Sequence, residues 1–94
     1  MKIIDKDGYE VTTIDFGMPE IGKTHTYSYT LVNDTPFKVI NIKIEVFSPL
    51  VTLDYPKELA PMEQSTIIFT YSPPLDFKRK LETYIKSMYT EVYE

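Results

Sequence analysis

The chain has 94 residues, no cysteine, a single histidine and a formal charge of −4 at pH 7. A chain this short supports one domain around one thin core, residues 1–94, with roughly two-thirds of its unfolded surface buried. The missing cysteines exclude disulfides, zinc–thiolate sites and thiol nucleophiles. One histidine leaves little for a multi-histidine metal site or a Ser–His relay, and the acidic balance opposes a phosphate-binding surface.

Val, Ile, Phe, Tyr and Thr supply 40 of the 94 residues against one alanine, Ala60, which favours strands over helices throughout. Residues 1–9 are expected to form an N-terminal arm. Within it, Asp5-Lys6-Asp7-Gly8-Tyr9-Glu10 echoes part of a calcium loop. Ile14 stands where the closing bidentate Glu should be and Ile3 at an early ligand position, so a solvated turn is expected instead. Ile14 and Phe16 alternate with polar neighbours up to Gly17. Turn-forming residues then run from Gly17 to Gly22. Tyr27, Tyr29 and Leu31 alternate with Ser28 and Thr30 as a half-buried strand, closed by the turn Asn33–Pro36. His25, at the start of this strand, reads as an edge histidine and not as a ligand. Ile40, Ile42, Ile44 and Val46 alternate with Asn41, Lys43 and Glu45 in the clearest period of two. After Ser48-Pro49 the period returns weakly at Val51, Leu53 and Tyr55. After the turn Pro56–Pro61 it returns at Ile67, Phe69 and Tyr71, which ends at Ser72–Pro74. The predicted core is Phe16, Tyr29, Leu31, Ile40, Ile42, Ile44, Ile67 and Phe69.

The C-terminal residues carry two patterns. Leu81, Tyr84, Ile85, Met88, Tyr89 and Val92 fall at helical spacing behind a possible N-cap, Asp76. Yet residues 81–94 contain no alanine, and half of them are Thr, Tyr, Ile or Val. A strand over Lys80–Met88 is therefore preferred, with a short C-terminal helix as the alternative and 89–94 as a tail. Short strands at this spacing, separated by turns, define an all-β antiparallel sandwich.

A family likeness follows from the order of these segments. Ile14-Asp15-Phe16-Gly17 precedes Tyr27-x-Tyr29-x-Leu31-x-Asn33-Asp34-Thr35-Pro36-Phe37-x-Val39-Ile40-x-Ile42. Leu59-Ala60-Pro61-x-Glu63 then precedes Ile67-Ile68-Phe69-Thr70-Tyr71-Ser72-Pro73. Over about residues 14–88 the series resembles the immunoglobulin-like domains of the ASPM–SPD-2–Hydin group and the related bacterial DUF1573 domains. The likeness implies an immunoglobulin-like fold used for binding and assembly, with no catalytic residues. Two departures stand out. Met62 replaces the usual turn glycine, so a turn of different shape is expected there. Only Tyr89–Glu94 remains for the family's last strand, so an incomplete final strand is expected. Locally, Asn33 suits an Asx-turn, Pro36 the turn that opens the next strand, and Gly17 a positive φ.

Among candidate sites, Lys78-Arg79-Lys80 is the one basic cluster and reads as a solvated turn or a dock for an acidic protein surface. Asn33-Asp34-Thr35 matches a glycosylation acceptor, which the absence of a signal peptide argues against. No pair of carboxylates is placed for acid–base work. Eight tyrosines exceed what so small a core needs, so some of them face a partner or an open sheet face. The expected interface is Lys78, Arg79, Lys80, Tyr89, Val92 and Tyr93, the last three by strand addition or as a docked helix. No cofactor, metal, nucleic acid, membrane or small-molecule substrate is expected. No apolar run approaches the roughly 18 residues of a membrane span. The functional expectation is a non-enzymatic module in the virion or cytoplasm whose partner is a protein, either a capsid lattice or the chain itself. Its first concrete form is a capsid decoration protein. The alternative is a cytoplasmic or cytoskeletal adaptor.

Overall fold

The two-residue period of extended backbone turns these alternating segments into seven strands. They are β1 (Lys2–Ile4), β2 (Thr13–Gly17), β3 (His25–Val32), β4 (Lys38–Val46), β5 (Val51–Asp54), β6 (Gln64–Tyr71) and β7 (Leu81–Val92). The structure is a computed structural model and describes residues 1–17, 22–73 and 81–93. Two antiparallel sheets pack face to face, one ordered β1-β3-β6-β5 and the other β2-β7-β4. The first has the A-B-E-D order of an immunoglobulin sandwich. In the second, β4 and β7 pair as strands C and F do. No strand corresponding to G lies beside β7 among the described residues; β2 pairs there instead, antiparallel, along Leu81–Tyr84. The protein is an immunoglobulin-like β-sandwich with one strand position left open among the described residues.

Between the sheets, Ile14, Phe16, Leu31, Val39, Ile42, Ile44, Ile67, Phe69 and Tyr71 are buried. Phe16 packs edge-on against Tyr27, with centroids 5.0 Å apart, and lies 4.9 Å from the Tyr71 ring. Two members of the predicted core, Tyr29 and Ile40, are only half-buried. For Ile40 the cause is a bulge. Opposite β7 the register passes from Ile40↔Thr90 to Lys43↔Met88, three steps along β4 against two along β7. The extra residue is absorbed at Asn41, which adopts φ 54°, a conformation that asparagine tolerates better than a β-branched residue. The slip turns Val39 inward in place of Ile40 and keeps Ile42 and Ile44 in the core.

Three further segments add detail to the expected elements. Within the expected N-terminal arm, Lys2–Ile4 pairs with β3, where Ile3 lies opposite Leu31. The final segment is the preferred strand and not the alternative helix, and it runs past the expected end at Met88 through Val92, which pairs with Lys38. Most of the expected tail is thus ladder. The β-branched and aromatic content of residues 81–92 outweighs their helical spacing once β4 offers a row of partners. At Met62 the chain keeps the left-handed backbone a glycine would supply, with φ 61°. The turn keeps that backbone, and the methionine bears the strain.

Candidate functional site

Asn33 builds one end of the sandwich. It is fully buried, and its Nδ2 donates to the carbonyls of Phe37 at 2.8 Å and Ala60 at 2.9 Å. Its Oδ1 accepts from the Thr35 backbone N–H at 3.2 Å and the Thr35 hydroxyl at 2.7 Å, the expected Asx-turn. The Asn33 backbone N–H donates to the Glu63 carbonyl at 2.9 Å. A buried amide with every group satisfied costs little and fixes its neighbours. Here it welds the 33–37 turn to the 60–63 turn. The second turn is braced by Glu63, whose carboxylate accepts from the Ala60 N–H at 3.1 Å and whose N–H returns to the Ala60 carbonyl at 3.1 Å.

On the outside of this node, Pro36, Phe37, Lys38, Pro61 and Val92 line an open hollow of about 340 Å³. Tyr93 crosses the Phe37 ring at a centroid distance of 4.5 Å and an interplanar angle of 66°. Its hydroxyl donates to Glu91 Oε2 at 2.6 Å, and that carboxylate raises the phenol above its ordinary pKa. Met62 and Tyr93 are each about two-thirds exposed, at 67% and 70%. The result is an apolar and aromatic surface on a rigid, hydrogen-bonded base.

A second feature lies along β7. Ile85 is its crossover point, with its N–H donating to the Thr12 carbonyl at 2.9 Å on the β2 side and Val46 opposite it on the β4 side. Upstream of Thr12 the chain turns away, and the Val11 N–H donates to Ile3 in the other sheet at 2.8 Å. From Lys86 to Val92, β7 therefore has a strand on one side only among the described residues. Strand geometry points successive N–H and C=O groups to alternate sides. Since the Ile85 N–H faces β2, those of Ser87, Tyr89 and Glu91 face the open side.

Of the residues expected at an interface, Tyr89 lies on this open edge, Val92 lines the hollow and Tyr93 covers Phe37. Lys78, Arg79 and Lys80 lie outside the described residues. His25 begins β3 opposite Tyr71. Asp5 caps its own loop, its Oδ1 accepting from the N–H groups of Asp7 at 2.9 Å and Tyr9 at 3.0 Å. The sequence reading missed Pro36, Phe37, Pro61 and Met62. The available signal was a Pro-aromatic and a Pro-Met pair, both in turns, where no core position demands large apolar side chains. No helix among the described residues is long and apolar enough to cross a membrane. Compared with protein-family models, curated proteins and solved structures, the chain matches none.

Proposed function

We propose that this chain is a non-enzymatic interaction module, related to the ASPM–SPD-2–Hydin group, that binds and decorates a larger protein assembly, in the first instance a viral capsid. The reading is carried by the end surface formed by Phe37, Tyr93, Met62, Pro36 and Pro61. Exposed apolar groups gathered in one place mark contact surfaces more often than chance exposure does. Aromatic rings offer large contact area with few rotors to immobilise. Because Asn33 and Glu63 already hold both turns, little ordering is left to be done on binding.

The test is mass spectrometry of particles purified from the source, with the wild-type chain and with Met62→Asp and Tyr93→Ala. Both residues are exposed, so the variants are expected to melt close to wild type. The expected result is wild-type chain at a fixed ratio to the capsid protein and variants left in the unbound fraction. Absence of the wild-type chain from particles, or full retention of both variants, overturns the reading. Recovery in a cytoplasmic complex instead favours the adaptor.

A further inference from the structure

We propose that the open edge of β7 pairs with the same edge of a second copy of this chain, antiparallel, across a two-fold axis at Thr90. An uncovered strand edge is a template for another strand, and natural chains cover such edges or use them. Most other edges here are blunted. Val11 bonds back to β1, and β4 is flanked by the segment 55–59. β2 is short and irregular between Asp15 and Gly17, and β5 has four residues. The outer half of β7 has none of these devices among the described residues.

Geometry selects the register. Hydrogen-bonded pairs must join residues whose N–H groups both face the open side, so Ser87, Tyr89 and Glu91 pair with odd-numbered residues of the other copy. β2 occupies the same side of β7 and reaches Ile85 through Thr12. A pairing centred on Tyr89 sets Ile85 of the second copy, with its Thr12, against Tyr93, where two chains would share one space. Centring on Thr90 is the nearest register that avoids this. It places Ser87 opposite Tyr93, Met88 opposite Val92, Tyr89 opposite Glu91, and Thr90 opposite itself.

These pairs are self-complementary. Met88 meets Val92 twice on one face. On the other, a tyrosine meets a carboxylate twice, and no like charges face each other. The whole chain carries −4, yet this edge is balanced by Lys86 and Glu91. Cross-strand apolar, Thr–Thr and polar pairs of this kind are what stabilise a ladder. An isologous pair closes on itself, which accounts for an edge that can stay exposed without propagating into fibres.

Cysteine substitution tests the axis directly, because the chain has no cysteine of its own. A non-hydrogen-bonded antiparallel pair has Cα atoms about 4.5 Å apart, within disulfide reach. Thr90→Cys is expected to form a disulfide dimer under mild oxidation, while the exposed Thr52→Cys on β5 does not at equal concentration. Thr90→Lys and Thr90→Glu each place like charges on the axis. Each should raise the dimer dissociation constant at least about tenfold, and mixing the two should restore association. A wild-type chain that sediments as a monomer at tens of micromolar overturns the proposal. So does a dimer that neither cross-links through Thr90→Cys nor responds to the charged pair. Thr90 lies outside the Phe37–Tyr93 surface and Met62 outside the β7 ladder, so failure of the Thr90 variants leaves the particle-binding reading intact, and loss of particle binding in Met62→Asp leaves the dimer standing.

Discussion

β4 and β7 are neighbours in one sheet, yet their outer edges meet opposite fates. On β4, the Ile44 N–H donates to the Tyr55 hydroxyl at 3.0 Å and the Ile42 N–H to the Lys57 carbonyl at 3.0 Å. Val39 and Leu59 exchange two bonds of 2.9 Å. On β7, the groups of Ser87, Tyr89 and Glu91 face no strand among the described residues. The difference lies in chain routing. After β5 the chain must return to β6, and Pro56–Pro61 carries it along β4. Upstream of Thr12 the chain leaves for β1, and among the described residues nothing is brought past the outer half of β7. An edge is closed by what the chain must do next, and where it has no such errand the edge stays open.

The contrast can be broken from its closed side. Ile42→Ala removes a buried side chain from β4 and should cost about 2–5 kcal/mol, read as a lowered urea midpoint. Met88→Ala, on the open edge, should stay within about 0.5 kcal/mol in the monomer. Equal losses would mean that the outer half of β7 is packed and not exposed. Asn33→Ala leaves the carbonyls of Phe37 and Ala60 without their donor and should cost about 2–4 kcal/mol. Asn33→Asp restores only the acceptor for Thr35 and should not rescue stability.

Smaller changes sharpen the contrast. Tyr55→Phe deletes the acceptor of the Ile44 N–H while keeping the ring under Lys57 Nζ, 4.3 Å from its centroid. It should cost about 1 kcal/mol and speed hydrogen exchange at Ile44. In the monomer the Tyr89 amide should already exchange quickly. Met62→Gly relieves a left-handed methionine. It should stabilise by about 0.5–1 kcal/mol, the conformational gain being partly offset by a more flexible unfolded chain. A lower melting temperature would place the value of Met62 in packing.

The smallest effect is electrostatic. The Met1 ammonium lies 3.2 Å from Asp34 Oδ1, and its hydrogen bond and charge hold that carboxyl below the ordinary range. Folding therefore favours the ionised carboxylate. The stability this adds is present above the ordinary value near 3.9 and is lost as pH falls through the lowered one. Asp34 is 45% exposed, so solvent screens most of it. Acetylating the N-terminus should return the Asp34 titration, followed by NMR, towards the ordinary value.

Several features were legible in the residues themselves. Period-two alternation located β3 and β6, because one face of each must be apolar to be buried. Gly17, at φ 62°, holds the positive φ read from its place at a strand end, and Asn33 makes its Asx-turn because its own side chain reaches the backbone two residues on. These are local constraints, settled within a few residues. The placement of the candidate site was not local. Phe37 and Tyr93 lie far apart in sequence and meet only because β7 runs antiparallel along β4 and brings Val92 beside Lys38. The inward turn of Val39 depends on a bulge taken up at Asn41, where the β7 register counts one residue fewer. Whether residues 89–92 were tail, helix or strand depended on a ladder partner more than forty positions away in the chain. Composition and period determined that these segments would be strands. Only the sheet's pairing decided which edges closed, which stayed open and which aromatic rings came together, because pairing is a contest among distant segments for the same backbone groups.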